Sequence, residues 1–314
     1  LSRDVILIKT SPMPREKAIS IMLFLISRYG RLQLLRGKSQ QVQPHLTLPL
    51  IKSLFIPHFD VNEAVITYVN SQVYFEKSKS LYSQAETLLL EELGLKDFKP
   101  KYELSYTANL SQAFGVHRID AEYFQPVYKK IEKHLVENFN ALPIKRIKFV
   151  NVTTGQYTEH YVSKEEGEPY IRGTDISNVT INTDNLVYIA PEDQIESKKA
   201  KEGDVVVTRV GTIGLSARIP EECEGGTISD NLIRIRIFDE EKLNSYYLAL
   251  YLRSLIGVSL MLRNSRGSVQ QRLNQETLKE VVVPLLPFET QQKIASLVKQ
   301  AHEARRKSKE KGPR

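Results

Sequence analysis

The chain has 314 residues, with 44 lysines and arginines against 37 aspartates and glutamates, a formal charge of +7, and one cysteine, Cys223. That length holds one large domain or two modest ones with cores of their own. The single thiol excludes an intrachain disulfide and suits a reducing, cytoplasmic compartment. The longest apolar runs, such as Ile19 to Ser27, are too short to span a bilayer, so no membrane is expected; the basic balance suits a polyanion, nucleic acid foremost.

In chain order, residues 1–60 read as the end of a globular unit: a strand "DVILIK", a helix "EKAISIMLFLISRYG" ended by Gly30, and a strand "LFIP". From Asn62 to Glu92 no proline or glycine interrupts, and Val65, Tyr68, Val69 and Val73 begin an apolar stripe that runs on to a stop at Gly94. The spacer helix is placed over 61–95, and its uninterrupted part, about 31 residues from 62 to 92, is a rod of roughly 46 Å at about 1.5 Å per residue; its stripe requires a partner helix. Residues 96–117 read as a polar linker. The stretch "RIDAEYFQPVYKKIEKHL" opens a new domain, 118–287, with Pro126 in a first helical turn and Val127, Ile131 and Leu135 on one face.

Within that domain "YIRGTDI", "NLVYIA", "GDVVVTRVGTIGLSARI" and "NLIRIRI" are short β-branched runs punctuated by glycine, which predict a twisted, mostly antiparallel sheet. "NSYYLALYLRSLIGVSLML" returns to helix, Ser268 or Asn274 can begin another, and "VVVPLLP" closes the sheet. Ile294, Leu297, Val298 and Ala301 form the stripe of a distal helix, 288–314. The fold class is α+β, with the two long helices packed as an antiparallel coiled coil.

The two ends of the chain resemble each other at an offset of 227: Gly30 falls on Gly257, Arg36 on Arg263, Leu46 on Leu273, Lys52 on Lys279 and Pro57 on Pro284. Glycine, proline and glutamine positions agree as well as apolar ones, so duplication explains the match better than shared amphipathicity. The second copy's motifs begin at Arg118, so a full first copy would need about 110 residues before Leu1. A truncated amino-terminal half is expected.

The strings "RIDAEYFQP", "YIRGTDI", "GDVVVTRVGTIG", "SDNLIRIRI" and "GSVQQRLNQETLKEVVVPLLPFETQQKIASLV" resemble the specificity subunit of type I restriction-modification systems. The likeness covers 118–304 closely, while 1–95 matches the end of a first target-recognition domain with its helix. It implies a protein without catalysis or cofactor of its own, in which each recognition domain reads half of a split double-stranded DNA site. The paired helices would separate the halves and dock adenine methyltransferase subunits and translocating restriction subunits. A 46 Å rod spans roughly 14 base pairs at about 3.4 Å each, so helix length can set the half-site spacing.

Arg172 with Thr174, and Arg209 with Thr212, stand at glycine turns from which an arginine can approach phosphate or fork onto guanine; a salt bridge is the alternative use of either. Lys198, Lys199 and Lys201 suit phosphate or a merely solvated face. Arg263, Arg266, Ser268, Gln270 and Gln271 surround Gly267 at an expected helix start, where free N–H groups favour an anion and a glutamine can fork onto adenine. The histidines show no metal spacing with one another or with Cys223, and no P-loop, G-x-G-x-x-G or amino-methyltransferase loop is present. A DNA-modifying enzyme, nuclease or methyltransferase, and a scaffold that only joins proteins remain as alternatives.

Overall fold

The computed structural model describes residues 5–36, 46–57, 62–265 and 272–311, and the chain forms two compact units, Leu1–Lys77 with Ala304–Arg314, and Ser78–Glu303. In the first unit the helices are α1 (Arg15–Ile26), α2 (Arg28–Arg36), α3 (Leu48–Lys52) and the start of α4 (Asn62–Glu92). The single helix expected over 16–30 is therefore two. Ser27 turns extended, its Oγ donates to Phe24 O (2.6 Å) and accepts from the Gly30 N–H (3.3 Å), so one side chain ends α1 and starts α2. Gly30 lies inside α2 instead of stopping a helix, and its role is close approach: a Cβ there would meet Phe24 O at 2.2 Å.

Neither "DVILIK" nor "LFIP" forms a strand among the described residues. A strand needs a ladder partner; Phe55 instead exchanges both backbone groups with the Gln33 side-chain amide at 2.9 Å each. The end of α4 is as the glycine suggested. Gly94 has φ +64°, and the N–H groups of Gly94 and Leu95 donate to Glu91 O (2.9 Å) and Leu90 O (2.7 Å), closing the helix in a Schellman turn.

In the second unit α5 (Leu110–Val116), inside the expected linker, and α6 (Pro126–Asn138) precede β1 (Leu142–Pro143), β2 (Val150–Thr154), β3 (Glu168–Ile171), β4 (Ile176–Ser177), β5 (Thr180–Ile181) and β6 (Val187–Ile189). There follow β7 (Val205–Thr208), β8 (Ser216–Arg218), β9 (Thr227–Ile228), β10 (Leu232–Ile237), α7 (Ser245–Arg253), α8 (Leu255–Asn264), α9 (Gln275–Lys279), β11 (Val282–Val283) and α10 (Phe288–Glu310). The main sheet has the order β2-β10-β7-β8-β5-β4, antiparallel except for β5 with β8, and a smaller one runs β6-β3-β9. Side-chain alternation splits β7 between two cores: Val205 and Val207 join the cluster built with α6, α7 and α8, while Val206 joins Ile171, Ala217 and Leu232 on the other face. Tyr247 and Tyr251, fully buried, satisfy their hydroxyls on Pro284 O (2.8 Å) and Val282 O (2.7 Å).

The duplication is written in backbone as well as in letters. α1 and α7 end 227 residues apart, α3 and α9 coincide at that offset, and the pairs α1–α2 and α7–α8 bend by 65° and 70°. Ser254 repeats Ser27: its Oγ donates to Tyr251 O (2.6 Å) and accepts from Gly257 N–H (3.3 Å), and a Cβ on Gly257 would meet Tyr251 O at 2.3 Å.

The long helices α4 and α10 pack antiparallel. In the first unit Ser71 Oγ donates to Ser308 O (2.9 Å) and the Arg305 guanidinium lies 4.4 Å over Phe75; in the second, the rings of Tyr82 and His302 are 5.6 Å apart, and Ala85 and Leu89 share a core with Ile294 and Val298. The stripe expected on α4 is corrected. Val65 is buried and Tyr68 half-buried, but Val69 and Val73 are 37% and 61% exposed. The buried positions of α4 are instead Ser71, Ser78 and Ala85, seven residues apart, with Leu81 and Leu89: in the first unit Ser71 meets Ser308, and in the second Ala85 and Leu89 share their core with Ile294 and Val298, half-buried Leu297 packing against it and Ala301 also buried. Small side chains let the two backbones approach, and an apolar count passes over them.

Candidate nucleic-acid interface

Four connections meet at one end of the main sheet: the exit from β2, the exit from β3, and the turns β7–β8 and β9–β10. Gly155 lets the β2 exit cross β9, since a Cβ there would meet Ile228 O and Ser229 O at 2.1 Å. Gly211 and Gly214 carry φ of +77° and +86°, which L side chains rarely adopt, and so make the β7–β8 turn. Thr208 Oγ1 donates to Thr212 O (2.5 Å) and accepts from Leu215 N–H (3.1 Å), holding that turn closed. Its base is tied on both sides: Arg209 N–H donates to Asn231 O (3.1 Å), and Leu273 N–H donates to Arg209 O (2.9 Å).

Between these connections lies a cleft of about 620 Å³ lined by Tyr157, Tyr161, Tyr170, Arg172, Thr174, Thr212, Asp230 and Asn231, among others. Arg172 is fixed by buried Asp175, which accepts from its backbone N–H (2.8 Å), Nε (3.2 Å) and Nη2 (3.1 Å), while Nη2 also reaches Asn185 O (3.2 Å). The carboxylate raises the guanidinium's pKa further, so the charge is permanent. Arg209 stands behind the lining, its Nη1 donating to Asp230 O (3.2 Å) and its buried Nε without a partner. Tyr170 donates its hydroxyl to Gln156 O (2.8 Å), and burial pushes its phenol pKa up. One guanidinium, hydroxyls, an amide, a carboxylate and aromatic faces thus share one concavity, which can stack on a planar group and hydrogen-bond its edge.

The other sequence candidates fall elsewhere. Lys198 Nζ donates to Thr154 O (2.7 Å), Lys199 pairs with Glu196 (2.8 Å), and Lys201 is exposed. The backbone of this segment is held from below, Arg234 Nη1 (2.6 Å) and Arg236 Nη2 (2.9 Å) both donating to Lys199 O. Arg263 is corrected: it is 7% exposed, with Nη1 2.5 Å from Glu132 and Nε donating to Tyr123 O (3.2 Å), so its charge is consumed inside the fold. Arg266, Ser268, Gln270 and Gln271 lie outside the described residues. Of the two helix starts the sequence offers, Ser268 is among these, and Asn274 caps α9, its Oδ1 accepting from Thr277 N–H (2.8 Å). Tyr157 and Tyr161 were not singled out from the sequence; two tyrosines in the glycine-bounded, polar stretch "GQYTEHYV" were the available sign. Among the described residues no group of three or more His, Cys, Asp or Glu could hold a metal ion, and no single helix is long and apolar enough to cross a membrane.

A sheet whose loop end gathers arginine, threonine and tyrosine around a cleft, with helices carried beside it, defines a recognition module on an α+β scaffold. Residues 145–311 match the family described as the type I restriction modification DNA specificity domain, and the chain belongs to that family. Solved structures to which the chain is similar include one from a type I R-M system studied for complex assembly and conformational transition (18% identity over 89% of this chain and 63% of that one, TM-score 0.44). The HsdS subunit from Thermoanaerobacter tengcongensis is similar at 16% identity over 90% of this chain and 62% of that one, TM-score 0.41. The type I restriction-modification S subunit from M. genitalium is similar at 14% identity over 94% and 67%, TM-score 0.47. The chain therefore spans 63% and 62% of the length of the first two. No curated protein matches it.

Proposed function

We propose that the chain is a non-catalytic DNA-recognition subunit of a type I restriction-modification complex. Residues 118–287 act as a target-recognition domain for one half of a bipartite double-stranded site, and the long helices dock adenine methyltransferase subunits and, with them, the translocating restriction subunits. The observation that carries this reading is the gathering of Arg172, Thr174 and Thr212 on one cleft, with Arg209 bonded behind it, inside the stretch that matches the specificity family. The antiparallel α4–α10 pair supports a spacer role, because a helix is a stiff element whose residue count sets a distance. Residues 1–60 are assigned to the end of a first recognition domain on the strength of the repeated α1–α3 and α7–α9 pattern.

Selection of random duplexes by the full chain tests this. A short shared motif should be enriched, and Arg209→Ala should weaken binding to it by about 1–3 kcal/mol. A recovered pool indistinguishable from the input, or methyl transfer by the chain alone, would overturn the reading.

A further inference from the structure

We infer that the cleft beside Tyr157 and Tyr161 receives a single nucleobase displaced from the DNA stack, in addition to whatever the surrounding loops touch in an intact groove. This rests on the DNA-reading role proposed above and specifies what the cleft itself takes.

The first argument is shape. Reading a paired base in the major groove requires side chains carried outward on a helix or ribbon that enters the groove. Here the polar groups are recessed. Arg172 is held back by Asp175 and by Asn185 O, and Asp230 sits with its backbone oxygen on Arg209 and its Oδ1 3.3 Å from Ser229 Oγ. A recess of about 620 Å³ accepts something that protrudes from DNA, and it falls within the roughly 300–1,000 Å³ of sites that enclose small molecules.

The second argument is the lining. Tyr157 and Tyr161 are 64% and 51% exposed, so neither ring serves the core. The Tyr161 ring lies 6.0 Å from Tyr170 at 51°, which forms an aromatic corner at the cleft. In the same lining, Gly211 leaves open space where a side chain would stand. Aromatic faces stack on any base without regard to its identity. Arg172 as donor, Asp230 as acceptor and the Asn231 amide as both then offer hydrogen bonds to a Watson–Crick edge, which is free only when the base has left its pair.

The test uses the full chain and two short duplexes identical except that one carries a single bulged 2-aminopurine, a base already outside the stack, and the other carries it paired. The bulged duplex is expected to bind about tenfold more tightly, because the unpairing cost has been met in advance, and its fluorescence should change on binding as the base meets tyrosine. Both effects should disappear in Tyr157→Ala and Tyr161→Ala and persist in Tyr157→Phe and Tyr161→Phe; circular dichroism checks that the exposed substitutions leave the fold intact. Equal affinity for the two duplexes, with ordinary salt-dependent binding to both, would overturn the inference and leave DNA recognition standing. A preference that survives both alanine variants would also overturn it. Failure to bind either duplex would remove the DNA-reading role and the inference together.

Discussion

Arg263→Ala removes a guanidinium whose Nη1 lies 2.5 Å from Glu132, whose Nε donates to Tyr123 O (3.2 Å) and whose cation stands 4.7 Å over the Tyr123 ring. Arginine on α8 and glutamate on α6 join two helices of the same core, and the arginine side chain is only 8% exposed. Breaking a buried pair from one side costs about 3–5 kcal/mol, because the remaining charge is left without a partner. Glu132 is 27% exposed and regains some water, which places the loss near the low end, about 3 kcal/mol. At about 2–4 °C per kcal/mol for a unit of this size, the thermal midpoint should fall by roughly 6–12 °C. The assay is thermal unfolding by circular dichroism, paired with a duplex titration well below the midpoint. A large drop in midpoint with near-native affinity fits a structural arginine. An unchanged midpoint with weakened duplex binding would refute the burial argument and return Arg263 to the DNA contacts.

Gly257→Ala should destabilise by about 1–3 kcal/mol or more, because the new Cβ meets backbone that cannot yield, whereas Gly115→Ala, with open space around it, should be neutral or stabilising; urea midpoints measure both. His302 has its pKa lowered from 6.5 to about 4 by burial and, to a lesser degree, by Arg218. The folded state therefore binds fewer protons than the unfolded chain in that window, so His302 stabilises fully above pH 6.5 and loses this as pH falls toward 4. His302→Phe should flatten that part of the pH–stability curve, and a curve of unchanged slope would contradict the assignment. Lys201→Ala should reduce the log–log salt slope of duplex binding by about one unit, read by titration at several salt concentrations.

Local signals in the sequence were enough for much of the scaffold. The uninterrupted run to Gly94 marked α4 to its last turn, since helix propagation and a left-handed C-cap are properties of neighbouring residues. The glycine turns brought Arg172, Thr174 and Thr212 to attention, and the structure sets all three around one cleft. Tyr157 and Tyr161 escaped because lone aromatic residues in a connection have no period to betray them. Ser71, Ser78 and Ala85 escaped for a related reason: they face a helix more than two hundred residues away in sequence, and closeness of approach, not hydrophobicity, selects them.

By itself, then, the amino-acid order determined the duplicated plan, the long helices and the positions of the turns, all of which depend on residues a few places apart. Only the tertiary structure decided which charges were left over for a partner. Arg263 and Arg209 look alike along the chain, yet one is neutralised by Glu132 and the other stands behind an open cleft. Whether a charge is consumed or left available depends on what packing brings within a few ångströms of it, and neighbours in space need not be neighbours in sequence.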